Sequence, residues 1–333
     1  MAGGKERVLR RRIKSVQSTK KITKAMELIA ASRILKAQQR VNAARPYSEQ
    51  ITEVIRNLAS AGAGKGSPLL EQREVVRTVA FVVVSADRGL CGGYNTNVIR
   101  AAEREMARLR GEGLQTRLVT VGKKATTYFR FRGYEIDEAF TGFSDEPTYE
   151  DARRVAETVV GRFEAGDYDQ VELVFTQFIS AGVQKVVQRR FVPLEPDALD
   201  DAAASGPSAD YEFEPGPGEI LDRLLPRYAE ARLYAALLEG SASFFAAQQR
   251  AMKSATDNAE DLIVKLSRVM NRARQDSITT EIMEIVGGAE ALRSGQAGVS
   301  DLLADNALRV ADVVGHSDDA AYSRSHSHNH RHA

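Results

Sequence analysis

Histidine is nearly missing from this 333-residue chain: there are five, all from His316 onward, and Met1 to Gly315 has none. That excludes a Ser-His-Asp triad, a Cys-His dyad and a histidine-ligated catalytic metal from the body of the protein. Acid-base chemistry there would fall to carboxylates, lysines or tyrosines. Cysteine is as scarce. Cys91 stands alone, so an intrachain disulfide and any multi-cysteine zinc or iron-sulfur site are excluded, and the composition suits a reducing compartment. No apolar run reaches the ~18 residues of a membrane span, which leaves a soluble protein or one peripheral to a membrane. Net charge is almost absent too, at +1 from 46 basic and 45 acidic residues.

That near-zero total hides a sorting by position. The first forty residues, Lys5 to Arg40 in particular, carry twelve basic side chains against only Glu6 and Glu27. Glu195 to Asp222 carries nine acidic residues and no basic one. A basic run is ordinarily a solvated helix face, and DNA binding is the sharper alternative. This run has no aromatic side chain for base stacking and no recognised DNA-binding motif, so no nucleic acid is expected. It also has the composition of an organellar transit peptide, but it continues without a break into more helix.

Ala30, Ile34, Ala37, Val41, Ala44, Ile51, Ile55 and Leu58 fall at steps of three, four or seven, which predicts one stripe along a helix over Glu6–Leu58. Pro46 should bend it, yet the stripe keeps its register across the proline. SAGAGKGSP (Ser60–Pro68) ends the helix. A different texture follows. The apolar run Val79–Val84 predicts a strand covered on both faces. Strands are also expected at Arg117–Val121, Tyr134–Ile136, Val171–Phe178 and Gln184–Val192, alternating with helices at Thr96–Arg110, Lys123–Phe131 and Thr148–Glu164. This pattern describes a small α/β domain with a largely parallel sheet. Glu195–Asp222 reads as an acidic, Pro-rich extended linker. From Glu219 to about Val286 the chain is helical again. Leu238, Phe245, Met252, Ala259, Leu266 and Ala273 repeat every seven residues, and Ala255, Leu262 and Val269 suggest the second line of a coiled-coil seam. Long helices at the two ends of the chain cannot bury such stripes alone, so they are expected to pair with each other.

Two glycine-rich segments invite phosphate chemistry. Ala61–Ser67 lacks the Ser or Thr after Lys65 and the first glycine of a phosphate loop, and it leaves a helix where a strand is needed. SADRGLCGGYN (Ser85–Asn95) follows the first strand, where a dinucleotide would bind, but its glycines at 89, 92 and 93 do not make GxGxxG. Asp87, Arg88 and Cys91 read instead as a surface turn offered to a partner. Cys91 has no histidine to activate it as a nucleophile. The tail His326–His332 could hold a transition metal weakly or be incidental composition, and the segment from Arg293 to Ala333 is expected to be largely disordered.

RIKSVQSTKKITKAMELIAASRILKAQ (Arg12–Gln38), SADRGLCGGYNTN (Ser85–Asn97), YEFEP (Tyr211–Pro215), and AMKSATDNAEDLI with ARQDSITTEIMEIVGGA (Ala251–Ala289) stand in this order. Together they resemble the gamma subunit family of F-type ATP synthases, from about residue 3 to 292. The resemblance implies two terminal helices forming an antiparallel coiled-coil shaft, with a small Rossmann-like α/β domain between them. The corresponding boundaries are 1–60 for the N-terminal shaft helix, 61–77 for a linker and 78–194 for the α/β domain. An acidic connector spans 195–218, the C-terminal shaft helix 219–292 and a His-rich tail 293–333.

Such a subunit turns inside a ring of three alpha and three beta subunits. Its foot meets the epsilon subunit and the c ring, and proton flow through the c ring drives ATP synthesis on beta. The resemblance implies no catalysis, cofactor, metal or direct nucleotide binding by the chain itself. It implies a peripheral position on the cytoplasmic side of the cell membrane. Residue by residue, it places Met26, Asp87, Arg88, Cys91, Arg274, Gln275 and Thr279 against beta, and Tyr211 and Glu214 against epsilon and the c ring. The basic helix would face acidic surfaces of the ring, where charge guides association. Family members usually end soon after EIVGGA, whereas some forty residues follow here, for which a brake on rotation is one reading. The alternative class is a non-catalytic coiled-coil scaffold or nucleic-acid-associated protein.

Overall fold

The computed structural model describes residues 2–60, 67–194 and 216–314. The acidic connector through residue 215, the glycine-rich residues 61–66 and the tail from residue 315 lie outside the described residues. The elements run in the order α1 (Ala2–Ser60), β1 (Thr78–Val84), α2 (Tyr94–Gly111), β2 (Gln115–Val121), α3 (Lys123–Phe131), β3 (Glu138–Phe140), α4 (Tyr149–Glu164), β4 (Gln170–Phe178), β5 (Gln184–Val192) and α5 (Pro217–Val314). The described residues divide into two compact units, those within 14–263 forming one and those within 1–13 and 264–333 the other.

In the first unit the sheet order is β3-β2-β1-β4-β5, parallel except for the antiparallel β4–β5 hairpin. β1 sits at the centre and shows why a continuous apolar run is needed there, because successive side chains enter different cores. Val79, Phe81 and Val83 pack with α2 and α3, whereas Ala80, Val82 and Val84 pack with α4 and the long helices. α4 starts at a reciprocal cap in which the Asp151 N–H donates to Thr148 Oγ1 and the Thr148 N–H to Asp151 Oδ2, satisfying amides that the first turn leaves open.

α1 is continuous through Pro46, and its stripe lies where periodicity puts it. Ala30, Ile34, Ala37, Ile51, Ile55 and Leu58 are all buried. α1 and α5 pair antiparallel: Thr23 and Thr256 share a hydrogen bond of 2.8 Å, Lys20 and Glu260 an ion pair of 3.0 Å, and Ile34 and Ala37 cluster with Phe244 and Phe245. The Thr pair is a polar contact inside the seam. Such a contact holds one register, because any slip would leave two buried hydroxyls facing apolar neighbours.

Three expectations need correction. The edge strand is Glu138–Phe140 and not Tyr134–Ile136. Tyr134 packs edge-on against Phe129 at 5.2 Å, and pairing with β2 begins only after the Asp137 N–H has donated to Leu118 O. The second line of the α5 seam lies four residues on from Met252 and Ala259, at Thr256 and Ile263, while Leu262 and Val269 are exposed. Finally, α5 continues to Val314, so residues 293–314 of the expected disordered tail are helical. That segment has four alanines and three leucines and no proline, which favours helix.

Candidate partner-binding surfaces

The turn after β1 is built around Asp87. Its Oδ1 accepts the Lys123 N–H, and its Oδ2 accepts the N–H groups of Gly142 and Ser144 and the Ser144 hydroxyl. The carboxylate therefore ties the turn to the loop following β3. Burial pushes its pKa up, but the hydrogen bonds from Gly142, Ser144 and Lys123 outweigh that and hold it below the usual aspartate value of 3.8. A folded-state pKa below the unfolded one contributes stability that is complete above the unfolded value and is lost as pH falls through the folded one. We expect Asp87→Asn to be less stable than the parent near neutral pH, with the gap closing as pH drops below about 4. Denaturant midpoints measured against pH test this, and a gap of constant size down to pH ~3 would count against it.

Cys91 is 2% exposed and packs with Ala86, Tyr94 and the shaft residues Phe244 and Phe245. Burial raises its thiol pKa, and the Asn95 side-chain amide donates to Sγ at 3.2 Å. It is thus a small core residue and not part of the turn's outer face. That face presents Arg88, paired with Asp145, and Leu90, which is 63% exposed with φ of 60°. A positive φ on leucine is uncommon, and sequence reasoning did not single this residue out. Asp145 also lies 3.9 Å from Arg33 of α1, and its carbonyl accepts the Ser241 hydroxyl of α5 at 2.6 Å. The turn, the loop and both long helices thus meet at one place.

On α1, Met26 is half-buried beside the seam, while Ile22, Leu28 and Ile29 around it are exposed. In the second unit Arg274, Gln275 and Thr279 are exposed on α5. They share the helix with exposed Ile278, Ile282, Met283, Ile285, Val286 and Leu292. These apolar residues were not among the sequence-derived candidates, although their density is visible in ITTEIMEIV. Tyr211 and Glu214 lie outside the described residues. Among the described residues no cluster of His, Cys, Asp and Glu is arranged to hold a metal ion, and no helix is long and apolar enough to cross a membrane.

The family model described as ATP synthase matches residues 5–292. The ATP synthase gamma chain of Parafrankia sp. is 54% identical over 296 residues, covering 88% of this chain and 99% of its own length. That of Mycolicibacterium smegmatis is 50% identical over 300 residues, covering 86% and 97%. Among solved structures, a chain of the Euglena gracilis mitochondrial ATP synthase OSCP/F1/c-ring assembly aligns over 88% of this chain and 96% of its own, with a TM-score of 0.61 at 16% identity. A chain of the central stalk and c ring of the Tetrahymena thermophila enzyme aligns over 70% and 99%, with a TM-score of 0.53 at 23% identity. A match spanning both long helices and the α/β domain, at about half identity to the bacterial relatives, places this chain in the ATP synthase gamma chain family.

Proposed function

We infer that the chain is the central rotary shaft of an F-type ATP synthase, linking c-ring rotation to the nucleotide states of three beta subunits. The observation that carries this reading is the C-terminal part of α5, a continuous helix whose apolar side chains from Ile278 to Leu292 stand exposed beside Arg274 and Gln275. An apolar surface of this kind calls for a surrounding protein surface, and the ring of alpha and beta subunits supplies one. Two helices of unrelated sequence make an object without threefold symmetry. Its rotation can therefore drive three equivalent sites through different states by differential contact. Arg274 suits an intermittent grip, since its planar fork bonds carboxylates in one orientation and releases them in another. Met26, Arg88 and Thr279 add contacts to beta. Asp87 and Cys91 act beneath the surface, shaping the turn that carries Arg88. Tyr211 and Glu214 serve the foot, near epsilon and the c ring.

The chain itself contributes no catalytic group and no nucleotide site, and it reaches the cytoplasmic side of the membrane through the c ring. Reconstitution with alpha and beta subunits tests this. Sustained ATP hydrolysis should require the chain, and the chain alone should hydrolyse nothing. The double variant Arg274→Ala with Gln275→Ala should lose most ATP-driven proton pumping in the full complex while melting like the parent, because both side chains are exposed. Pumping equal to the parent's would remove these two residues from the coupling surface. A ring fully active without the chain would remove the rotary reading itself.

A further inference from the structure

A cavity of 370 Å3 lies in the first unit where the start of α2 meets β4, the β4–β5 hairpin and α5. Its rim is exposed and consists of Gly92, Gly93, Asn97 and Arg250, while Cys91 and Thr176 on its floor are buried. Thr176 is 4% exposed, and its hydroxyl has no hydrogen-bond partner among the described residues. The strand register says which sheet face carries this side chain. Thr176 lies two residues from Val174, which packs in the α2-side core, and it is paired with Val186, which packs against the same core. Its side chain is therefore on the sheet face that α2 covers, toward the cavity at the α2 N-terminus.

Beside the apolar Val186, Ala247 and Ala251, the α2 start, Asn97 and Arg250 supply donors here. α2 has 18 residues and starts after the N-cap Gly93, with no side-chain cap and no acidic residue in its first turn. The Tyr94 N–H donates to Cys91 O at 3.3 Å, and the other first-turn amides keep the partial positive charge of an uncapped helix start. Asn97 brings an amide side chain, whereas the Gln184 amide N–H groups are taken by the carbonyls of Ser180 and Ala181, and no carboxylate lines the cavity. Arg250 is oriented at the rim by the carbonyl of Gly182 at 2.5 Å and by the Gln184 side-chain oxygen, which leaves the guanidinium other N–H groups to offer. The Cys91 thiol, with its raised pKa, adds no negative charge.

We propose that this cavity binds a small oxyanion, a single phosphate or sulfate group, with the Thr176 hydroxyl, the α2 N-terminus and Arg250 as its donors. A tetrahedral oxyanion offers acceptors in several directions at once, and helix starts hold such groups by aligned amides and dipole. The buried hydroxyl distinguishes the site from an ordinary helix end, because a hydroxyl desolvated without a partner costs free energy that an oxyanion recovers. The proposal does not depend on the rotary reading, since it concerns binding to the chain alone.

Thermal melting of the full chain in potassium phosphate and in potassium chloride at matched ionic strength tests it, with a phosphate titration by calorimetry. Phosphate should raise the melting temperature saturably, with weak affinity on the order of 1 mM. Thr176→Val should weaken phosphate about fivefold or more, yet melt no lower than the parent in chloride, because it removes a hydroxyl that had no partner. Arg250→Gln should weaken it about tenfold, and Arg250→Lys should recover part of that loss. An equal shift in chloride would overturn the site. So would phosphate binding unchanged in both Thr176→Val and Arg250→Gln, which would mark an adventitious ion only.

Discussion

Gly122→Ala should be the most damaging single methyl addition in the described part of this chain. Gly122 joins β2 to α3 with φ of 93° and ψ of 140°, a backbone region open almost only to glycine. A Cβ there would sit 2.3 Å from Ser85 O and 2.7 Å from Ser85 C and Oγ. Relief by movement is blocked on both sides. The Ser85 N–H donates to Val121 O at 2.8 Å, and Ser85 Oγ donates to the same carbonyl and accepts the Ala125 N–H. The Gly122 N–H donates to Phe140 O at 2.8 Å. Backbone strain and the clash together should cost about 4 kcal/mol or more, a fall in melting temperature on the order of 10 °C for a domain of this size. Gly161→Ala is the matched control. It lies inside α4 with nothing within 4 Å of an added Cβ, so it should stabilise by about 0.5–1 kcal/mol. If the two variants melt within a degree or two of each other, the close approach of residues 85 and 122 is not what limits this position.

That junction also marks how far the sequence could be read. The α1 stripe was visible because one helix face repeats every three or four residues regardless of what covers it. The α/β order was visible because β1 is apolar on both faces. Contacts between segments distant in sequence were not visible. Asp87 reads as an exposed acid in a turn until Gly142 and Ser144, more than fifty positions away, are seen to donate to it. Cys91 sits among Arg88, Gly92 and Gly93 and so looks exposed, but the packing of Tyr94 and Phe244 draws it inward. On α5, alanines and exposed apolar residues are mixed, so steps of three and four score alike, and only burial shows that Thr256 belongs to the seam and Leu262 does not. The roles proposed for Arg274, Gln275 and Thr279 rest on family resemblance, since exposed polar residues on a helix form no pattern of their own.

Leu225→Ala should lower the stability of shaft and α/β domain together. Leu225 of α5 is fully buried in one continuous core. That core also contains Ile55 and Leu58 of α1, Val82 and Val84 of β1, Val155 and Val159 of α4, and Leu173 of β4. Truncating a leucine in such a place costs about 2.7–5 kcal/mol, with the higher values where neighbours cannot collapse into the space. Here the core draws these partners from four other elements, two of them strands of a hydrogen-bonded sheet, so the cost should fall in the upper half of that range. The informative readout is which signals move. Helical circular dichroism reports mainly α1 and α5, while the near-ultraviolet signal adds the domain's Tyr94, Tyr128, Tyr134 and Tyr168 to Tyr47 of α1 and Tyr228 and Tyr234 of α5. With a shared core the two denaturant transitions should coincide in the parent and shift to the same lower midpoint in the variant. A variant in which only the helical transition moves would mean that the domain folds independently of the helices it grips. That result would also weaken the mechanical reading, because a foot can turn a shaft without slippage only if neither yields separately under load.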